Sequence, residues 1–165
     1  MRTREILGIA ACAFSVSLAA QSAPRLADME PVLARVAAWD PAQARDPLFE
    51  FTNFLRAALN SKSELPQIEA RLLRMLAPDS KSSTAGKEFV CRQLSLIGTD
   101  ASVPTLARLL NDPPMAEMAR YSLARIPGAA AGAALRKSLP QPGVIKALGE
   151  RRDAQAVPAL QNLLG

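Results

Sequence analysis

The sequence predicts an all-α fold, an α-α superhelix (solenoid) in which helix pairs stack one on the next. Three observations carry that prediction. Apolar residues recur at i, i+3, i+4 spacing along most of the chain. Aromatic residues make up only 4% of the 165 residues, against a hydrophobic fraction of 49%, which favours close-packed Ala/Leu helices over strands. The C-terminal half, finally, repeats itself at a fixed offset.

The first residues stand apart from the fold. Arg2 and Arg4 open a positive stretch, an apolar run follows from Ile6 to about Ala20, and small residues cluster at Ser17, Ala19, Ala20, Ser22 and Ala23. This is the pattern of a secretory signal peptide over residues 1–23. A run of roughly 15 apolar residues falls short of the about 20 that cross a bilayer, so no stable membrane span is expected. Periplasmic or secreted localisation follows. Ile9-Ala10-Ala11-Cys12 offers lipidation at Cys12 as the alternative, although the apolar run continues beyond it through Phe14, Val16 and Leu18. Without that segment Cys91 is the remaining cysteine. Set among Phe89, Val90, Leu94 and Ile97, it reads as a small buried apolar group rather than a reactive thiol.

Residues 24–85 form an N-terminal helical segment. A first helix is expected over 28–39, with Asp28 as N-cap and Leu33, Val36 and Ala37 on one face. Asp46-Pro47 starts a second, since proline at the first helical position lacks only an N–H that would go unpaired there. It carries Leu48, Phe51, Phe54, Leu55 and Leu59. A third runs from about Leu65 to Leu76, burying Ile68, Leu72, Leu73 and Leu76 and turning Glu69, Arg71 and Arg74 outward. Residues 79–84 are polar and short-chained, hence a loop in which Ser83 or Thr84 caps the next helix.

Residues 86–165 repeat. Helix pair one is expected at about 86–97 and 102–111, pair two at 114–126 and 129–139, pair three at 142–149 and 154–164. A shift of 29 places Val90, Leu94 and Ile97 on Ala119, Leu123 and Ile126, and the same shift aligns Leu106 and Leu110 with Leu135 and Leu139. The last helix, Val157-Pro158-Ala159-Leu160, matches Val103-Pro104-Thr105-Leu106 at a shift of 54. Its partner fits best with Leu148-Gly149 on Ile97-Gly98, a shift of 51, which implies a first helix of two turns and a turn three residues longer. Gly98 and Gly149 are expected as left-handed C-caps. Each pair has two apolar faces and buries them only against its neighbours. The last helix offers Val157, Leu160, Leu163 and Leu164 with few charges, so the chain is expected to be part of a longer array or to dock at that end.

The segments Leu96-Ile97-Gly98-Thr99-Asp100-Ala101-Ser102-Val103-Pro104, Ala119-Arg120-Tyr121-Ser122-Leu123 and the stretch from Leu148 to Leu160 resemble HEAT repeats of the phycobilisome-lyase-like type, as found in exported bacterial HEAT-repeat proteins. The resemblance covers about residues 86–165. It implies a right-handed superhelix used mainly to hold other macromolecules.

Catalysis is not expected. The chain has no histidine, which removes the usual general base and the commonest metal ligand. One mature cysteine cannot build a zinc cluster, and residues 127–132 lack the lysine of a phosphate loop. No cofactor, metal or small-molecule substrate is implied. Glu150 and Asp153 read as a solvated turn beside Arg151 and Arg152.

The arginines carry the binding signal. Residues 24–85 hold eight basic against eight acidic side chains, whereas 86–165 hold ten against six. Arg92 and Arg120 are read as equivalent positions one repeat apart, and with Arg125, Arg151 and Arg152 they are the candidate partner-binding residues. Two arrangements are open. In one, the arginines form an internal ladder on loop carbonyls or on Asp100, Asp112 and Asp153. In the other, they line a basic groove for an acidic protein partner. Nucleic acid is disfavoured, because the surplus is modest and stacking aromatics are scarce. The function expected is a non-catalytic interaction scaffold of the bacterial cell envelope. The alternative is an accessory subunit of an envelope enzyme complex.

Overall fold

A computed structural model describes residues 25–62 and 64–164. The signal-peptide and Cys12 readings lie outside the described residues. Among the described residues the chain forms nine α-helices and no strand: α1 Glu30–Ala37, α2 Asp46–Ser61, α3 Leu65–Met75, α4 Thr84–Ile97, α5 Val103–Leu109, α6 Pro113–Arg125, α7 Ala129–Lys137, α8 Pro142–Arg151 and α9 Val157–Gln161. Short 3-10 turns precede α1, α5 and α9. In seven of these helices proline sits at the first or second position. There the fixed φ suits the helix and the missing N–H costs nothing, so the prolines of this chain set where helices begin.

The predicted all-α solenoid is the observed fold. α4, α6 and α8 lie side by side as one row, and α5 and α7 pack behind them. The core register runs through Leu94, Leu123 and Leu148, all at most 1% exposed, and through the fully buried Val90, Ala119 and Val144. Behind them Leu106 and Leu135 are fully buried, as are Ser102, Ala131 and Ala156 at the start of each second helix. α1–α3 close the opposite end: α3 and α1 pack on α4, and α2 packs on α1 and α4. Phe51 links the segments, with ring centroids 5.8 Å from Phe54 and 6.2 Å from Phe89 of α4.

Several local expectations are corrected. Asp28 does not cap a helix; its carboxylate accepts the backbone N–H of Arg25 within a 3-10 turn that delays α1 to Glu30. Ser83, not Thr84, caps α4, accepting from Gly86 N at 2.9 Å, while its own hydroxyl donates to Trp39 O at 2.6 Å and ties α4 to the end of α1. In the third pair α8 runs on to Arg151, and Gly149 lies inside it. Arg152 takes the left-handed C-cap position instead, at φ +53°. The 3-10 turns at Asp100–Ser102 and Ala154–Ala156 are then 54 residues apart, as are Leu94 and Leu148. One offset therefore serves both helices, and the turn is no longer than in pair one. What differs is that α8 starts late. Gly98 does cap α4, but in extended conformation, φ −60° and ψ 142°. Glycine is needed there for close approach: an added Cβ would lie 2.5 Å from Leu94 O and 2.7 Å from Cδ1 of Ile126.

Candidate functional site

The turns between paired helices are bound to one another along one edge of the array. Glu69 of α3, expected on the outside, is only 5% exposed. Its carboxylate accepts from Thr99 N at 2.8 Å, from Thr99 Oγ1 at 3.0 Å and from Ser102 Oγ at 2.5 Å. A buried carboxylate is tolerable there because three donors of the first turn point at it. At the other end Arg151 stands one repeat beyond Ile126 in the core register. Its guanidinium donates to Leu123 O and Gly128 O, each at 2.7 Å, and to Ile126 O. The Leu123 and Ile126 carbonyls belong to the end of α6, where helix geometry leaves them unpaired and the dipole favours a cation, while Gly128 is the N-cap of α7. Arg136 is ion-paired with Asp153, whose other oxygen accepts from Gln155 N. Asp153 is therefore a largely covered cap rather than a solvated turn residue.

Most arginines expected at a binding surface are held by such contacts. Arg151 belongs to the turn edge. Arg120 pairs with Glu117 at 2.6 Å and lies across the start of α8, where a Cβ on Gly143 would come within 2.3 Å of its Nε. Arg125 stacks 3.7 Å above the Tyr121 ring centroid and reaches Glu150 at 3.8 Å. Arg152 is exposed and borders the same turn edge as Arg136 and Arg151, with no side-chain hydrogen bond or ion pair among the described residues. The equivalence of Arg92 and Arg120 does not hold: in the shared 29-residue register Arg92 matches Tyr121, and Arg120 matches the buried Cys91. The ladder is real at Arg151 and at Arg136–Asp153, but neither Asp100 nor Asp112 joins an arginine in it.

Arg92 has a different setting. It lines an open cleft of about 770 Å³ between α2 and α4, with Tyr121 of α6 at its side. α2 presents Arg45, Phe49, Thr52 and Arg56 along one stripe, and α4 presents Glu88, Arg92 and Leu96 along another. Phe49 and Leu96 are 62% and 61% exposed, large values for such side chains. Arg45, Arg56 and Arg92 carry no hydrogen bond or ion pair on their guanidinium groups among the described residues, unlike Arg35 with Glu50 and Arg71 with Glu30 nearby. Gln93 also lines the cleft; it is 4% exposed and its Oε1 has no partner. Trp39, at the cleft's end, donates its indole N–H to Ala44 O. No group of three or more His, Cys, Asp or Glu suited to a metal lies among the described residues. No described helix is long and apolar enough to cross a membrane.

Residues 143–165, which hold α8 and α9, match the PBS lyase HEAT-like repeat family. Those residues form a HEAT-like repeat. No curated protein and no solved structure gives a significant match. Because one 54-residue offset carries the matched HEAT unit onto α4 and α5, those helices are the same structural unit, with α6 and α7 between them.

The HEAT half supplied the charge surplus that drew attention to the arginines, yet two of the three free guanidinium groups in the cleft come from the electrically balanced segment before it. Arg45 and Arg56 were missed because charge was counted by segment; only structure shows that Glu50 and Glu30 are committed to Arg35 and Arg71. The available signal was the spacing Arg45, Phe49, Thr52, Arg56 (i, i+4, i+7, i+11), which puts one apolar and two basic residues on the face of α2 away from Phe51 and Leu55.

Proposed function

We propose that this HEAT-repeat protein is a non-catalytic interaction scaffold of the bacterial cell envelope, and that it holds a protein partner in the cleft between α2 and α4. One observation carries the reading: exposed Phe49 and Leu96 face one open cleft together with guanidinium groups that have no partner among the described residues. An apolar anchor ringed by unpaired cations is what a partner's side chains complete, whereas the paired arginines elsewhere are already engaged by acceptors of their own chain. The envelope placement rests on the signal-peptide pattern of residues 1–23. The absence of histidine from the sequence supports the non-catalytic role.

Site-specific photo-crosslinking in the producing cells tests the reading. A photoreactive residue at position 49 or 96 should give one discrete protein adduct that accumulates in the envelope fraction, and the same residue at Lys81 should not. Equal labelling from both sites, or none from the cleft positions, sinks it. If the adduct proves to be an enzyme, the chain serves as that enzyme's accessory subunit through the same cleft.

A further inference from the structure

Resting on that reading of the cleft, we infer that its occupant is an amphipathic helix of about three turns, apolar at the centre of its contact face and carrying carboxylates towards both ends. The length comes from the wall. Arg45 and Arg56 bracket Phe49 on α2 and stand eleven residues apart, about 16 Å at 1.5 Å per residue, or three turns of a seated helix. α4 offers a stripe of similar length, ending at Leu96. A groove walled by two helices, each showing one stripe at helical spacing (i, i+4, i+7 on α2 and i, i+4, i+8 on α4), takes a third helix as its complement.

Charge fixes the sign. Three guanidinium groups face one carboxylate, Glu88, so the cleft is net positive and none of the three is ion-paired among the described residues. An acidic partner gains charge-assisted hydrogen bonds from donors already in place. Gln93 lines the same cleft, and its buried Oε1 has no hydrogen-bond partner among the described residues. Phe49 and Leu96 lose their exposure under the helix's apolar centre.

The test uses the purified full-length chain and a displayed library of random twelve-residue peptides, with Trp39, the single tryptophan, as the optical reporter at the cleft. Enriched peptides should combine Asp or Glu near both ends with central apolar residues, shift Trp39 emission on titration, and lose binding when proline replaces a central residue. The triple variant Arg45→Gln, Arg56→Gln, Arg92→Gln should keep its circular dichroism and bind them about tenfold or more weakly, the summed effect of exposed pairs. Glu88→Gln should bind more tightly, and Arg74→Gln with Arg152→Gln should bind as wild type. Enrichment of neutral or basic peptides, no enrichment, or unchanged affinity in the triple variant overturns the inference. If sodium dodecanoate alone shifts Trp39 and no peptide does, the cleft takes a single-chain anion. The crosslink at Phe49 then separates the two failures: a discrete protein adduct leaves the scaffold reading standing without its acidic helix, and no adduct removes both.

Discussion

Replacing Arg151 with methionine isolates the turn-edge contact from partner binding. The wild-type guanidinium satisfies Leu123 O, at 2.7 Å, and Ile126 O at the end of α6, and Gly128 O, at 2.7 Å, at the start of α7. A hydrogen bond from a charged donor contributes about 1.5–3 kcal/mol net. The Gly128 contact is exposed and adds little, since water replaces it, whereas the contacts to Leu123 and Ile126 are partly buried. Methionine keeps most of the stem's packing, so the loss comes from the two part-buried bonds, which solvent screening brings down to about 2–4 kcal/mol. For a domain of this size that corresponds to a fall in Tm of about 6–12 °C. Urea denaturation followed by far-ultraviolet circular dichroism measures it, with an unchanged m-value showing that the unfolding unit is the same. Arg151→Lys should fall between, because one ammonium cannot fork across several carbonyls. Arg152→Met, with no side-chain partner to lose, should stay within about 0.5 kcal/mol of wild type. If Arg151→Met matches Arg152→Met, the carbonyl clamp is not what joins the last pair to the array. Peptides selected on the cleft should bind Arg151→Met unchanged.

Three further outcomes follow from the same geometry. Glu69→Ala leaves Thr99 N, Thr99 Oγ1 and Ser102 Oγ without their acceptor, and should cost about 2–4 kcal/mol in the same denaturation assay, with faster amide exchange at Thr99. Gly98→Ala should cost about 1–3 kcal/mol, because the new methyl meets a backbone carbonyl that cannot rotate away; a calorimetric Tm equal to wild type would contradict this. Burial pushes the Cys91 thiol up from its ordinary 9.0 to about 12; the nearby Glu88 charge adds to the rise, and hydrogen bonding by Ser122 opposes it. The neutral thiol therefore favours the fold, fully below pH 9. Stability should decline as pH climbs from 9 towards 12, by up to about 1.4 kcal/mol per unit, and Cys91→Ala should lack this component of the slope. A thiol reagent at pH 8 should label Cys91 of the native chain only at its unfolding rate.

The fold was legible because the core repeats faithfully. Val90, Leu94, Leu106 and their partners one repeat on sit at spacings that only a stacked helix pair explains, and all of them are buried. What sequence could not settle was the end of α8. Leu148-Gly149 imitates Ile97-Gly98, but Gly149 has open space around it and Arg151, where the earlier repeats have isoleucine, makes the contact. Glu69 was misread for a related reason. A carboxylate in a helix reads as outward-facing unless the donors that satisfy it are known, and they lie thirty residues away in Thr99 and Ser102. The binding residues were half legible: Arg92 was named, while Arg45 and Arg56 surface only once it is known which of their neighbours are already paired.

The two edges of the array are built on different terms. Where first helix turns into second, Thr99, Gly128 and Asp153 are each met by a side chain or a polar neighbour from an adjoining unit, through Glu69, Asp100, Arg136 and Arg151. Where second helix passes to the next first helix, at residues 138–141, the chain has already lost about one turn relative to pair two without shifting the Leu123–Leu148 register. Length can thus be added or removed on that side while the other keeps time. An epitope, a reporter peptide or an additional surface loop should be accepted at 138–141 with the pairs still stacked, and the same insertion at 98–100 should dismantle them. This gives the protein a spine that cannot be edited and a margin that can.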